Sequence, residues 1–268
     1  MNPCTVEKFD GSLMRTAPRT LITIATYNEI ENLPPLVEEL FTISAEFHIL
    51  VIDDNSPDGT GTWCDAAADR DPRIHCLHRP AKLGLGTAIV AGMNYAIDNE
   101  YDYALNLDAD FSHDPVHVPA LLAAIENEDG ESLADLTIGS RYVSGGSTPG
   151  WPLQRRIVSQ ALNYYTRFLL GLKTRDCSGG FRCYRTSILK TLELARIRSR
   201  GYSFQEEILW HLKRVGARSC EVPIAFRDRR RGNSKISVRE AIGAVWFVTR
   251  LAFSVRMRLL LGVLASRR

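Results

Sequence analysis

No stretch of this 268-residue chain reaches the ~18–20 uncharged apolar residues that a membrane span needs. The nearest approach, residues 241–265, is cut by Arg250, Arg256 and Arg258. Such a segment can lie on a bilayer, its arginines reaching the headgroups while Trp246, Phe247, Leu251 and Phe253 dip inward. The alternative is a C-terminal helix packed on the body with its arginines exposed. A signal-peptide run is also missing, because Lys8, Asp10 and Arg15 interrupt the N-terminus, and residues 1–19 read as a lead-in. The six cysteines, at 4, 64, 76, 177, 183 and 220, never show CxxC spacing. That sets aside a disulfide scaffold and a thiol zinc motif, and reduced thiols in a cytosolic setting are expected. Gly and Pro, at 19 and 12, are too few for a collagen-like or low-complexity chain. Net charge is small too, at +2, but the sum hides an asymmetry. Residues 227–268 carry eleven Lys or Arg against two acids, Asp228 and Glu240, while the rest of the chain is net acidic. A basic tail on an acidic body points to an anionic surface or ligand, and nothing in the sequence calls for nucleic acid.

What is present is an alternation. Short apolar runs at 21–25, 48–52, 74–77, 103–107 and 136–138 read as buried strands. Helical spacing appears over 32–47, 63–70, 85–97 and 116–125 between them. This predicts an α/β domain with a doubly wound, mostly parallel sheet covered by helices on both faces. Beyond it, residues 155–172 and 205–215 read as helices, 221–226 as a strand, and 176–182 as a Gly-rich turn. The expected organisation is a lead-in (1–19), one catalytic domain (20–236) and a basic amphipathic helical extension (237–268).

Ligands of such sheets bind at the carboxyl ends of the strands. The loops there read Thr26-Tyr27-Asn28-Glu29, Asp53-Asp54-Asn55-Ser56, Asp108-Ala109-Asp110-Phe111-Ser112-His113 and Gly139-Ser140-Arg141-Tyr142. One such loop is an ordinary capped turn; four at one sheet edge are hard to explain that way. Asp108 and Asp110 would repel unless a cation lay between them. Mg²⁺ or Mn²⁺, which bridges carboxylates to phosphates, fits that pair. Asp53 and Asp54 are candidates for the base and ribose of a nucleotide, and Arg141, Arg229 and Lys235 for its diphosphate. His113 reads as a helix-entry residue rather than a base. Asp176 is a turn cap or a site-ordering acid. Trp151 and Trp210 read as core or membrane-edge residues.

The segments ATYNE (25–29), DDNSPDGT (53–60), KLGLGTA (82–88), DADFSHDP (108–115), GSRY (139–142), SGGFRCY (178–184), GYSFQEE (201–207) and RxxGxSK (229–235) occur in order. Together they resemble the GT-A fold (Rossmann-like) family 2 glycosyltransferases, and more narrowly the dolichol-phosphate or polyprenol-phosphate mannose synthases. The resemblance implies transfer of mannose from GDP-mannose to a polyprenyl (dolichyl) phosphate with inversion. It implies nucleotide-sugar contacts at Ala25, Tyr27, Glu29, Ile52, Asp53 or Asp54, Asp108, Ala109, Asp110, Arg141, Arg229 and Lys235. It places catalytic roles on Asp108, Asp110 and Arg229 and metal ligands at Asp108 and Asp110. Ser112 stands where some members have a further Gln ligand, and Ala25 where the family has Pro.

Acceptor-phosphate candidates are Arg141, Arg155, Arg182 and Lys235, unranked; Lys82 is a loop-packing or ligand residue. The expected place of work is the cytoplasmic face of a membrane, peripherally through the extension, or with a membrane partner subunit. Two other readings stand beside it. One is a polyprenyl-phosphate glucosyltransferase using UDP-glucose. The other is a non-catalytic scaffold subunit, against which the intact Asp108, Asp110 and Arg229 argue.

Overall fold

The computed structural model describes residues 18–127, 129–199, 201, 203–228, 243 and 245–253. Three strands at the amino-terminal side, Thr20–Thr26 (β1), His48–Asp53 (β2) and Ile74–His78 (β3), alternate with helices Leu33–Ile43 (α1) and Thr60–Ala68 (α2). Leu85–Asp98 (α3), Tyr103–Asp108 (β4), Val118–Ala123 (α4) and Leu136–Ser140 (β5) continue the alternation. Leu153–Leu170 (α5), Arg182–Arg185 (β6), Thr186–Leu189 (α6), Phe204–Arg214 (α7) and Ser219–Pro223 (β7) complete it, and residues 245–253 are helical.

The strands form one sheet in the order β3-β2-β1-β4-β6-β5-β7. β3, β2, β1 and β4 pair in parallel, as do β5 and β7; β6 runs antiparallel to both its neighbours. β1 and β2 are buried nearly end to end, as parallel strands covered on both faces must be. Their side chains divide by period two. Leu21, Leu50 and Ile52 pack with α3 and α7, while Ile22, Ile24, Ile49 and Val51 pack with α1, α2 and α4. Val248 and Ala252 of the C-terminal helix join the α3–α7 side.

The expected α/β, doubly wound, mostly parallel sheet is present, with three differences from the sequence expectation. A strand, β6, follows the Gly-rich turn. It was not expected because RCYR has no apolar run: Arg182 is fully buried, its guanidinium donating to Gln205 O (2.9 Å) and Cys177 O (2.7 Å). The strand expected over 221–226 lies at Ser219–Pro223, at the sheet edge where Pro223 needs no ladder donor. The helix expected over 116–125 begins as a 3₁₀ turn, Pro115–His117, capped by Asp114 accepting from Val116 N (3.1 Å). Residues 1–17 and most of 237–268 lie outside the described residues.

Candidate active site

Parallel register brings the loop residues level. Ala25 pairs across to Ile52 on β2 and to Asp108 on β4, and Thr26 to Asp53. The loops after β1, β2 and β4 therefore leave the sheet side by side. In each of them a non-glycine residue takes a left-handed conformation: Asn28 (φ 61°), Asn55 (φ 59°) and Phe111 (φ 62°). Such conformations cost about 1–2 kcal/mol each in L-residues and persist where surrounding structure imposes them.

Asp53 is buried and its carboxylate accepts from Thr26 Oγ1 (3.2 Å), Ser56 N (3.0 Å) and Ser56 Oγ (2.5 Å). Asp54 instead pairs with the buried Arg79 guanidinium, which also donates to Thr87 Oγ1 (2.8 Å) and Gly84 O (3.3 Å). The two neighbouring acids thus have different work: Asp54 ties β2 to the start of α3, and Asp53 faces the turn. Glu29 accepts from Asn32 Nδ2 (2.9 Å), and its backbone N–H donates to Thr60 Oγ1 (3.1 Å), joining the first loop to α2. Tyr27 is half-buried, with Lys82 Nζ 4.2 Å from its ring centroid.

In the loop after β4, Asp108 has a side chain 36% exposed and Asp110 is buried. Asp110 Oδ1 accepts from Ser112 N (3.0 Å). The backbone N–H of Asp108 donates to His113 Nδ1 (3.0 Å), so that nitrogen is an acceptor and the ring holds the loop. His113 stacks on Phe181 at 5.1 Å and meets Phe226 edge-on at 5.4 Å. Ser112 Oγ is buried with no hydrogen-bond partner. Two carboxylates and an unsatisfied hydroxyl on one short loop are oxygen donors of the kind Mg²⁺ and Mn²⁺ take, so these residues fit a hard divalent cation.

Arg141 follows β5 and is nearly buried. Its Nε and Nη2 donate to the two oxygens of Asp176 (2.7 and 2.6 Å), and Nη2 also donates to Ser178 Oγ (2.8 Å). Burial alone would lower the Arg141 pKa, but the Asp176 charge and hydrogen bonds outweigh it and hold it above the ordinary value. Burial likewise pushes Asp176 up, and Arg141 more than offsets it, leaving the carboxyl below its ordinary value. Asp176 also accepts from Gly179 N (2.9 Å). It therefore both caps the Gly-rich turn and fixes Arg141, the two roles the sequence left open. Glu221 on β7 fastens the same turn by accepting from Arg175 N and Asp176 N. Of the other basic candidates, Arg182 is enclosed, while Arg155 reaches solvent, stacked on Trp151 at 3.8 Å and paired with Asp228 at 2.7 Å. Trp151 is buried. Arg229 and Lys235 lie outside the described residues.

Gln205 and Glu206, at the start of α7, were not singled out from the sequence. Gln205 lies beside the Asp108 loop: the Cβ position at Gly180 is 3.4 Å from Gln205 Nε2, 3.5 Å from His113 Cε1 and 3.8 Å from Asp108 Oδ1. Gln205 Oε1 and Glu206 Oε2 are buried and unpartnered. Burial raises the Glu206 pKa from 4.5 to about 7. The sequence signals were their place in the GYSFQEE segment and three consecutive polar residues, 205–207, at the start of an otherwise apolar helix turn.

The sequence matches the family "Glycosyl transferase family 2" over residues 21–193. It is 43% identical over 238 residues to an undecaprenyl-phosphate mannosyltransferase of Micrococcus luteus, covering 89% of this chain and 96% of that protein. It is 43% identical over 237 residues to a polyprenol monophosphomannose synthase of Mycolicibacterium smegmatis, covering 87% and 88%. Glucosyl-3-phosphoglycerate synthase of Mycobacterium tuberculosis, solved with Mn²⁺, UDP and glucosyl-3-phosphoglycerate, has a similar fold: TM-score 0.61, 17% identity, 89% of this chain and 80% of that one. A mannosyltransferase of Pyrobaculum calidifontis, solved with GDP-Man and Mn²⁺, gives TM-score 0.52 at 12% identity, covering 94% and 81%.

Proposed function

The chain belongs to glycosyl transferase family 2, and from that premise we propose that it transfers mannose from GDP-mannose to a polyprenyl phosphate with inversion at the anomeric carbon. The observation that carries this reading is the 43% identity, along nearly the whole chain, to two proteins that bear polyprenyl-phosphate mannosyltransferase names. The GDP-mannose donor and the inversion rest on the motif resemblance.

The acceptor is a phosphate monoester, with a second pKa of about 6, so it is already nucleophilic near neutral pH. Its oxygen forms the new bond to the anomeric carbon as the bond to the diphosphate breaks, and GDP departs with the electron pair. No strong general base is called for, which agrees with His113 being held as an acceptor from a backbone N–H. The protein's work is positioning and charge stabilisation. In this reading Asp53 meets the nucleoside, and Ala25, Tyr27, Glu29 and Ile52 shape its pocket. Asp108, Ala109 and Asp110 face the diphosphate, with Asp108, Asp110 and Ser112 holding Mg²⁺ or Mn²⁺. That cation, when bound, neutralises charge on the diphosphate. Arg141, oriented by its bidentate pair with Asp176, is the described arginine assigned to the diphosphate. Arg229 and Lys235 stabilise the departing GDP; Arg227 N donates to Ser112 O (3.4 Å), so the chain leading to Arg229 already lies on the cation loop. Arg155, the one of the described acceptor candidates Arg141, Arg155 and Arg182 that reaches solvent, is the choice for the acceptor phosphate.

We place the enzyme on the cytoplasmic face of a membrane. No described helix is long and apolar enough to cross one. The outward face of α5 nonetheless exposes Leu153, Ile157, Tyr164 and Phe168, and beside it Trp246 and Phe253 are exposed on helix 245–253. Tyr165 OH and Thr249 Oγ1, 2.6 Å apart, join the two helices.

The test is a donor panel: purified protein, Mg²⁺ or Mn²⁺, a polyprenyl phosphate, and GDP-mannose or UDP-glucose. Mannosyl transfer from GDP-mannose alone is expected. Transfer from UDP-glucose alone would replace mannose with glucose in this reading, and no transfer from any nucleotide sugar would favour a scaffold. Asp110→Ala is expected to abolish transfer; activity near wild type in that variant would remove the cation assignment.

A further inference from the structure

We propose that Asp65, Cys76 and His78 form a binding site for a thiophilic divalent cation of the zinc class, separate from the Asp108–Asp110 loop. Cys76 and His78 stand two residues apart on β3, the sheet's edge strand, and so face the same side. Asp65 reaches them from α2, which packs on that side. Cys76 Sγ lies 3.4 Å from His78 Nε2, and His78 Nε2 lies 2.7 Å from Asp65 Oδ1. All three ligand atoms fall within 4.8 Å of one another. Metal–ligand lengths of about 2.0–2.3 Å in a tetrahedron put ligand atoms roughly 3.3–3.8 Å apart, so a cation needs only a small opening of the Asp65–His78 pair. Cys64, fully buried with its thiol donating to His75 O (3.9 Å), stands outside the cluster of three ligands, so solvent completes the coordination on the open side.

The donor chemistry separates this site from the other. Sulfur with imidazole and one carboxylate suits zinc, whereas the all-oxygen Asp108 loop suits Mg²⁺ or Mn²⁺. Access is open, since Asp65 and His78 are exposed and Cys76 is half-buried. A ligand histidine is commonly held through its second nitrogen by a carboxylate or carbonyl. Here Gly61, whose missing Cβ would lie 3.2 Å from His78 Cε1 and 3.4 Å from His78 Nδ1, leaves the space beside that second nitrogen open. Cation binding would release the Cys76 thiol proton to solvent, forming the metal–sulfur bond.

Titration of the full chain with Co²⁺, read by thiolate-to-cobalt charge-transfer absorption, tests this without reference to transfer activity. The band is expected to appear, to be displaced by Zn²⁺ and to survive excess Mg²⁺. It should vanish in Cys76→Ser, persist in Cys220→Ser, and need at least ~10-fold more metal in His78→Ala, since loss of even an outer-shell partner costs about 10–100-fold. No band in the wild type, or a band that persists in Cys76→Ser, overturns the proposal.

Discussion

At Glu206, burial pushes the carboxyl up from 4.5 to about 7, and its own backbone N–H and the Arg182 charge only partly offset that. A raised acid holds its proton in the folded state across a window where the unfolded chain has lost it. Its contribution to stability is therefore fully present below pH 4.5 and is lost as pH rises through about 7. A shift of that size corresponds to about 3 kcal/mol as an upper bound. Glu206→Gln cannot ionise, so denaturant unfolding of the variant should lose less stability than wild type across that window. Identical pH profiles for the two proteins would show that Glu206 is not held neutral. Legibility at this scale follows environment. Asp108 and Asp110 stand out because they directly follow an apolar strand run. Arg182 was read as a candidate for the acceptor phosphate and is instead enclosed, and Gln205 did not stand out, because their burial depends on backbone carbonyls and a neighbouring loop far away in sequence.

Among the elements, α3 shows how a glycine sets a helix's distance from the site. A Cβ at Gly86 would lie 2.5 Å from Ser199 O and 2.8 Å from Phe204 Cβ, the residue that opens α7. Helix propensity alone favours Gly86→Ala by about 1 kcal/mol. The close approach instead predicts overpacking, costing about 1–3 kcal/mol, and displacement of Gln205 and Glu206. The sign of the measured change in unfolding free energy decides between them: stabilisation would mean that α7 yields freely. The central strands were legible because β1, β2 and β4 are continuous apolar runs ended by polar loops. β6 was not, because an antiparallel strand of four residues whose arginine is buried by hydrogen bonds leaves no periodic trace. The Asp65–Cys76–His78 cluster escaped for a related reason. Its spacing is that of a strand facing a helix, which has no linear motif.

For the whole molecule, the near-neutral sum of +2 divides between two regions. The acidic body carries the carboxylates at the carboxyl ends of the strands, and the tail carries arginines beyond the last described helix. Helix 245–253 connects them: Val248 and Ala252 are buried against the body while Trp246 and Phe253 face out beside the exposed stripe of α5. Under the proposed function, the donor site and a lipid-facing surface must share one body, and the exposed stripe of α5 with this helix is the surface proposed for that role. Each Lys or Arg near an anionic leaflet adds about 1 kcal/mol of attraction. Flotation with phosphatidylglycerol-containing vesicles should therefore fall as salt rises. Truncation after residue 236 should lower it, but that change also removes Val248 and Ala252 from the core. The cleaner comparison replaces Arg256, Arg258, Arg267 and Arg268 by Gln and leaves the buried contacts in place. That variant should unfold as wild type does, float less with anionic vesicles, and keep the same weak flotation with neutral phosphatidylcholine vesicles. Unchanged flotation on anionic vesicles would show that the tail's charge does not reach the membrane and leave the apolar stripe of α5, with Trp246 and Phe253, as the attachment.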